Sequence, residues 1–446
     1  MKIIIIGAGE VGYYLAKRLI SEDHNVTIIE MDSERHRRVA ETLDAIVIHD
    51  SGSSPRVLEN AGVKSTDILL AVTGSDDTNI LACIIAKKMG VARCLARVHS
   101  EEFSFSKSAI TGQDIGIDLL IHPERTAAEA TIRLVEQSSA SELVTFEDDR
   151  LQIISLIVKE DSPVVNLTLK EVATQHDQFS FLCLAIHREG KTIIPRGKNV
   201  YRSGDTAYFI AQEEDIPRLT ALLGYPKTEQ QHIMILGAGR LGRMVAAVLS
   251  REMNVKLIEQ DRDIAEEVAV NLPDTLVLHG DGTDIDFLSS ERIEEMDCFV
   301  AVSGSEKTNL LSGLLAKHLG VKRVIIHVTT NEYIPLMDKI GIDAVVSKNV
   351  ETVNAIMRYV RRGNVIAVSL FEDIKAEAIE LIPHVGSDIT KKPIKDLELP
   401  EDMIIGALIR QKEIIIPRGD TQIQPQDKVV VFLKPNLIQK VEKYFN

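Results

Sequence analysis

The apolar run Ile3-Ile4-Ile5-Ile6 breaks into Gly7-Ala8-Gly9-Glu10-Val11-Gly12, a pattern whose chemistry is phosphate binding. Four β-branched residues suit a strand buried on both faces. Gly7 then permits a tight turn, Gly9 lets backbone approach a phosphate, and Gly12 lets the following helix pack on the strand. The first amides of that helix, with its dipole, form an anion site. Glu30 lies 18 residues past Gly12 at the end of a second apolar run, near the spacing at which a carboxylate takes a ribose diol. A carboxylate accepts two hydroxyls but repels a 2′-phosphate, and the adjacent Met31-Asp32 supplies no arginine for one. The ligand expected is therefore NAD(H), or ADP/ATP, rather than NADP. The lesser alternative for Glu30 is a solvated strand end.

The chain writes this pattern twice. Gly237-Ala238-Gly239-Arg240-Leu241-Gly242 repeats the loop 230 residues later, and Glu259 repeats Glu30. His49-Asp50-Ser51-Gly52 returns as His279-Gly280-Asp281-Gly282, and Ala71–Asn79 returns as Ala301–Asn309 with six of nine residues identical. Asp50, Ser51 and Asp281 follow a third strand, within reach of an adenosine or as plain turn residues. Thr73-Gly74 and Ser303-Gly304 end a fourth strand at the edge where open α/β sheets bind ligands. Arg97 closes a fifth strand, where it can meet a phosphate or stay a surface arginine; its counterpart is His327. The loops differ most at Glu10 against Arg240. Two unit charges about 5 Å apart are worth on the order of 3 kcal/mol at an effective dielectric of 20. The expectation is a first site preferring a dinucleotide such as NAD(H) and a second accepting ADP/ATP, unless both side chains simply face solvent.

Alternating β and α signals position these residues. Strands at 26–30, 45–49, 68–73, 93–98 and 118–121, with helices between, predict a doubly wound parallel sheet. A period this long is a domain duplication. The fold class expected is α/β, with two Rossmann-like domains at 1–122 and 232–347. Each is followed by a connecting helix, 123–139 and 348–363, and a small α+β domain, 140–224 and 364–446. Residues 225–231 form the linker. The small domains also repeat, through Ile-Pro-Arg-Gly197 and Ile-Pro-Arg-Gly419. Apart from Arg196 and Arg418 they show no repeated polar set, and so no acid/base to face a nicotinamide. That disfavours the alternative of an NAD-dependent oxidoreductase with a duplicated cofactor domain; no catalytic residue is assigned.

Composition narrows the class further. A net charge of −15 over 446 residues argues against nucleic acid. Cys83, Cys94, Cys183 and Cys298 have no metal-site spacing and read as reduced, buried thiols. No run approaches the roughly 20 apolar residues of a membrane span, and no cleavable signal precedes the first strand. The expectation is a soluble cytoplasmic protein.

In combination, the paired glycine loops, the Ala71–Asn79 motif with its copy and the paired Ile-Pro-Arg-Gly turns resemble the peripheral subunits of the Trk potassium-uptake system (TrkA type) over essentially the whole chain. The resemblance implies two tandem regulator-of-potassium-conductance (RCK) modules that bind NAD(H) or ADP/ATP without turnover. It implies a homo-oligomeric ring, a tetramer, under an integral-membrane potassium transporter of the TrkH type, and hence peripheral attachment to the cytoplasmic face. Ligand contacts would fall on Gly7–Val11, Glu30, Thr73, Gly74, Arg97, Gly237–Leu241 and Glu259. A loop arginine that touches phosphate in single-repeat relatives maps onto Arg240 and not Glu10. An interface cation site would map onto Glu124, with no match at Lys348-Asn349.

Overall fold

The computed structural model describes all residues except 101, 103–110, 113, 138–141, 148–149, 177, 226–230, 361–364, 372–373, 375 and 446. Residues 226–230 of the expected 225–231 linker and the ends of both connecting helices, 138–139 and 361–363, lie outside the described residues. By packing, the chain forms two units: residues 1–127 with 347–360, and 128–346 with 361–446.

The first unit holds β1 (Lys2–Ile6), α1 (Glu10–Ser21), β2 (Asn25–Glu30), α2 (Ser33–Thr42), β3 (Ile46–His49) and α3 (Pro55–Asn60). These continue into β4 (Ile68–Ala71), α4 (Asp76–Lys88), β5 (Arg93–Arg97) and β6 (Leu119–Ile121). All six strands are parallel in the order β3-β2-β1-β4-β5-β6. Chain order reverses between β1 and β4, which makes the crevice beyond their carboxyl ends the ligand-binding place of such a sheet. Ile3, Ile4, Ile5 and Ile6 are all buried because helices cover both faces, so β1 is apolar throughout rather than alternating.

α5 (Pro123–Glu136) begins in this unit and continues into the second. The second unit contains β7 (Glu142–Phe146), β8 (Leu151–Ile157), α6 (Leu169–Gln175), β9 (Phe181–Arg188), β10 (Lys191–Ile193), β11 (Thr206–Gln212) and α7 (Ile216–Leu222). The second parallel sheet follows: β12 (His232–Leu236), α8 (Arg240–Leu249), β13 (Asn254–Glu259), α9 (Arg262–Asn271), β14 (Thr275–His279), α10 (Ile285–Ser290), β15 (Cys298–Ala301), α11 (Glu306–His318), β16 (Arg323–His327), α12 (Ile334–Met337) and β17 (Ala344–Val346). Its order, β14-β13-β12-β15-β16-β17, repeats that of the first. α13 (Lys348–Val360) comes next, belonging to the first unit, and then β18 (Val365–Phe371), β19 (Ala376–Leu381), β20 (Met403–Arg410), β21 (Glu413–Ile415), β22 (Lys428–Leu433) and α14 (Ile438–Phe445). The α/β class with tandem duplication is thus observed, parallel sheets alternating with antiparallel ones.

The helix after each parallel sheet packs on the other sheet. α13 lies on α1 and β6, and Arg93 donates to the Tyr359 and Val360 carbonyls at 3.3 and 3.2 Å. In the second unit, Arg323 at the start of β16 donates to the Leu134 carbonyl of α5 at 3.0 Å.

The antiparallel sheets, ordered β10-β9-β11-β8-β7 and β18-β19-β22-β20-β21, share a core made from one face of each. Phe146, Ile153 and Tyr208 of one meet Ala378, Val430 and Phe432 of the other. The opposite faces carry separate cores, so β8 and β19 are buried along nearly their whole length. Glu380 of β19 is 2% exposed on the shared face, with Lys428 3.8 Å away. Lys428 is also paired with Glu147. Burial pushes the Glu380 carboxyl up to about 7; Lys428 opposes that rise and Glu147 adds to it.

A polar set in the small domains does repeat, contrary to the expectation from sequence. Arg188 grips Asp205 through two bonds of 2.7 Å, and Arg410 grips Asp427 at 2.9 and 2.8 Å. Both aspartates are almost wholly buried, and the pairs tie β9 and β20 to the turns before their sheet neighbours β11 and β22. The four cysteines are free and buried, and burial pushes Cys183 and Cys298 up to about 12, which keeps them unreactive thiols.

Candidate nucleotide-binding crevices

Each glycine loop is shaped by two structural glycines and one open one. Gly7 and Gly237 turn at φ +96° and +104°, the left-handed region, with Thr73 and Ser303 backbone close by. A Cβ on Gly12 or Gly242 would lie 1.9 Å from the carbonyl oxygen of Gly7 or Gly237. Gly9 and Gly239 differ: their φ values are ordinary (−63° and −66°), and a Cβ would meet nothing within 4 Å at Gly239 and only Arg35 Nη1, at 3.9 Å, at Gly9. The middle glycines therefore serve the space outside the loop, the place of a phosphate.

The helix starts support this assignment. Asp32 and Asp261 cap α2 and α9, and Ser75 and Ser305 cap α4 and α11. α1 and α8 start at Gly9 and Gly239 with no side-chain cap. Their leading amides need an outside acceptor, and an anion is favoured there by the dipole.

The ribose carboxylates are fixed by backbone. Glu30 accepts from Ala8 N at 2.5 Å and Asp32 N at 2.8 Å. Glu259 accepts from Ala238 N at 2.8 Å, Gln260 N at 2.8 Å and Asp261 N at 3.0 Å. Each glutamate thus ties the end of its strand to the glycine loop. A carboxylate has about four acceptor positions, so Glu30 keeps two for a diol and Glu259 one for a hydroxyl.

Around these loops, the other sequence candidates divide into groups that face the crevice and groups that build it. Gly74 and Gly304 have open Cβ directions. Thr73 N and Oγ1 donate to Asn79 Oδ1 at 2.9 and 2.7 Å, and Ser303 does the same with Asn309 at 2.8 and 2.6 Å. Asp281 accepts from Thr283 N and Oγ1, both at 2.8 Å, a turn role; Asp50 accepts from Ser51 N at 2.7 Å. Arg97 donates from Nη2 to the Thr73 carbonyl at 2.9 Å, and its Nε is buried without a partner among the described residues. Burial pulls the guanidinium below its ordinary value, with Glu124 and Asp76 opposing. His327, its counterpart, is buried.

Glu124, the cation candidate, is already engaged by side chains of the chain itself. His99 Nδ1 is 3.2 Å away and Lys348 Nζ 3.9 Å. Burial would raise its pKa, but the His99 bond, with the Lys348 charge, holds it down at about 2. Among the described residues no group of three or more His, Cys, Asp or Glu forms a metal site.

Asn79 and Asn309, which close the repeated Ala71–Asn79 motif, carry a role that the sequence does not show. Both are fully buried, and their Nδ2 groups donate to the carbonyls of Thr73 and Arg97 (3.0, 2.8 Å) or Ser303 and His327 (3.2, 3.0 Å). One side chain thus clamps the ends of two adjacent strands. Asn79→Ala or Asn309→Ala is expected to cost about 2–4 kcal/mol, since buried carbonyls and amides lose their partner. Denaturant unfolding followed by circular dichroism checks it; a loss under about 1 kcal/mol would mean water replaces the clamp.

The repeated glycine-loop sheet, its small antiparallel partner and their order match known protein families. The TrkA-N domain model matches residues 3–123 and 233–348, and the TrkA-C domain model matches 153–224 and 379–446. The chain belongs to the TrkA family. The Trk system potassium uptake protein TrkA homolog of Archaeoglobus fulgidus is 36% identical over 446 residues, covering all of both chains. The Trk system potassium uptake protein TrkA of Haemophilus influenzae is 34% identical, covering all of this chain and 98% of its own. Among solved structures, the RCK domain of GsuK superposes with a TM-score of 0.61 at 18% identity, over 100% of this chain and 94% of that one. The GsuK channel bound to NAD gives 0.61 at 18%, over 100% and 78%. These likenesses confirm the tandem RCK fold. No helix among the described residues is long and apolar enough to cross a membrane.

Proposed function

We propose that this chain is the nucleotide-sensing regulatory subunit of a potassium-uptake transporter. It binds NAD(H), ADP or ATP in two crevices without turning them over, and it acts on the cytoplasmic face of the membrane through an integral-membrane partner of the TrkH type. Family membership supports the transport role. The observation that carries nucleotide binding is the twice-built crevice: an uncapped helix start at an open glycine, beside a carboxylate anchored to the same loop. Gly7–Gly12, Glu30, Thr73, Gly74, Arg97, Asp50 and Ser51 line the first crevice. Gly237–Gly242, Glu259, Asp281, Ser303 and Gly304 line the second. The relatives bear the family name, and GsuK has been solved with NAD and with ADP.

The coupling follows from which element meets the ligand. A phosphate on the first amides of α1 pulls on a helix that packs directly against α13. Ligand can bias an assembled ring, here taken as a homotetramer, only through different affinity for two ring states. α5 and α13 are the levers in this reading, since each leaves one parallel sheet and leads into a small domain.

The test is copurification with a potassium-transporter membrane subunit, then potassium flux in vesicles with NADH, ATP and ADP added in turn. Retention of the partner and a nucleotide-dependent flux are expected. Steady NADH oxidation with carbonyl substrates, in place of a flux effect, would move the assignment to an oxidoreductase.

A further inference from the structure

The charges around the two glycine loops are exchanged rather than merely different. In the first crevice Glu10 is not a bare carboxylate: Arg38 Nη1 lies 3.4 Å from it, and the same guanidinium lies over the Tyr13 ring at 4.6 Å. The Arg38 charge opposes the repulsion of phosphate expected from Glu10. In the second crevice the sixth residue after the helix cap is an acid, Glu267, and it pairs with Arg243 at 2.7 Å. Arg243 also donates from Nε to the Ala238 carbonyl at 2.7 Å.

Three residues after the cap the exchange continues. Arg35 stands in α2 where α9 has Ile264. Its backbone amide is tied to the Asp32 cap at 2.9 Å, which fixes the side chain on the first turn. Its Nη1 is 3.9 Å from where a Cβ on Gly9 would sit, and it is the nearest group in that direction. No ion pair engages it among the described residues. A cation thus stands over the one glycine of the loop that is open toward a phosphate, on the side of the ribose carboxylate Glu30. Glu30 bars a 2′-phosphate, so the group left for Arg35 is the diphosphate of an ADP moiety.

We propose that Arg35 is the diphosphate-binding cation of the first crevice, the part that the sequence assigns to Arg240 in the second. The two crevices then reach the same ligand class by different cations, one from α2 and one from the loop. This rests on the nucleotide reading above.

The experiment uses the full-length chain carrying Gly239→Asp, so that the first crevice is read alone. ADP and adenosine are titrated against it by calorimetry or competition with a fluorescent ADP. Arg35→Ile, which copies the residue of the second half, is expected to weaken ADP about tenfold or more and adenosine less than threefold. Arg35→Lys should recover part of the loss. Unfolding midpoints without nucleotide confirm that each variant is folded. ADP affinity unchanged within twofold would overturn the proposal, as would an equal loss for ADP and adenosine, or a loss seen for 2′-phosphorylated nucleotides and not for ADP. Failure of the nucleotide reading looks different: ADP would then fail to bind with Arg35 intact, or would still bind after a further Gly9→Asp change.

Discussion

Gly9→Asp and Gly239→Asp chains are expected to fold at least as stably as the parent and to lose nucleotide binding in the altered half. Both glycines have ordinary φ values, and nothing lies within 4 Å of a Cβ at Gly239, while at Gly9 only Arg35 Nη1 comes near, at 3.9 Å. An aspartate there enters without clash at the cap position of α1 or α8. Aspartate is among the best caps, worth roughly a few tenths of a kcal/mol over glycine. Its carboxylate would take the amides that a phosphate needs, and at Gly9 it would also pair with Arg35. The parent should gain about 2.7 kcal/mol from a nucleotide at a hundred times its Kd. That gain should vanish at the mutated half, and with it the effect of that half on potassium flux. Unfolding with and without NADH, ATP and ADP reads both parts. A nucleotide shift that survives in the double mutant would remove the crevices from the account. Gly12→Ala and Gly242→Ala form the contrast: with a carbonyl oxygen 1.9 Å from the new Cβ, they should damage the fold itself.

The second large effect is expected far from the crevices. Glu380 has a folded pKa of about 7 against an ordinary value of 4.5, chiefly because it is buried in the core shared by the two antiparallel sheets. Between those values the folded state keeps a proton that the unfolded state has lost, so stability falls as pH rises from about 4.5 through 7. The cost at pH 8 is about 3 kcal/mol. Glu380→Gln cannot ionise and should be more stable than the parent at pH 8 by up to that amount, with the difference closing below pH 4.5. Lys428 keeps Glu147 as a partner in the variant, which limits the loss on the other side. Unfolding at pH 4.5, 6 and 8 decides it; a pH-independent difference would mean that Glu380 stays ionised.

The expectation of unequal crevices shows where sequence comparison stops. Glu10 against Arg240 is visible as a reversal of charge, and alone it implies repulsion in one loop. The fold brings α2 across the loop, so that Arg38 meets Glu10 and Arg35 stands over Gly9. The basic run Arg35-His36-Arg37-Arg38 against Ile264-Ala265-Glu266-Glu267 was the available signal. Its meaning depended on which residues of a short helix face the neighbouring one. Arg188 with Asp205 and Arg410 with Asp427 were hidden similarly, because 17 residues separate each pair in the chain.

By itself the sequence determined the parallel sheets, their duplication and the crevice edge. Those follow from local properties: β-branched runs, glycines at turn positions, and caps such as Asp32 and Ser75, all repeated at one spacing. Tertiary structure decided three things that depend on contacts between distant residues. Asn79 and Asn309 became strand clamps, α13 packed on the first parallel sheet, and Arg38 of α2 met Glu10 of the first loop. Each was set by burial and charge pairing across the fold, which no local pattern encodes.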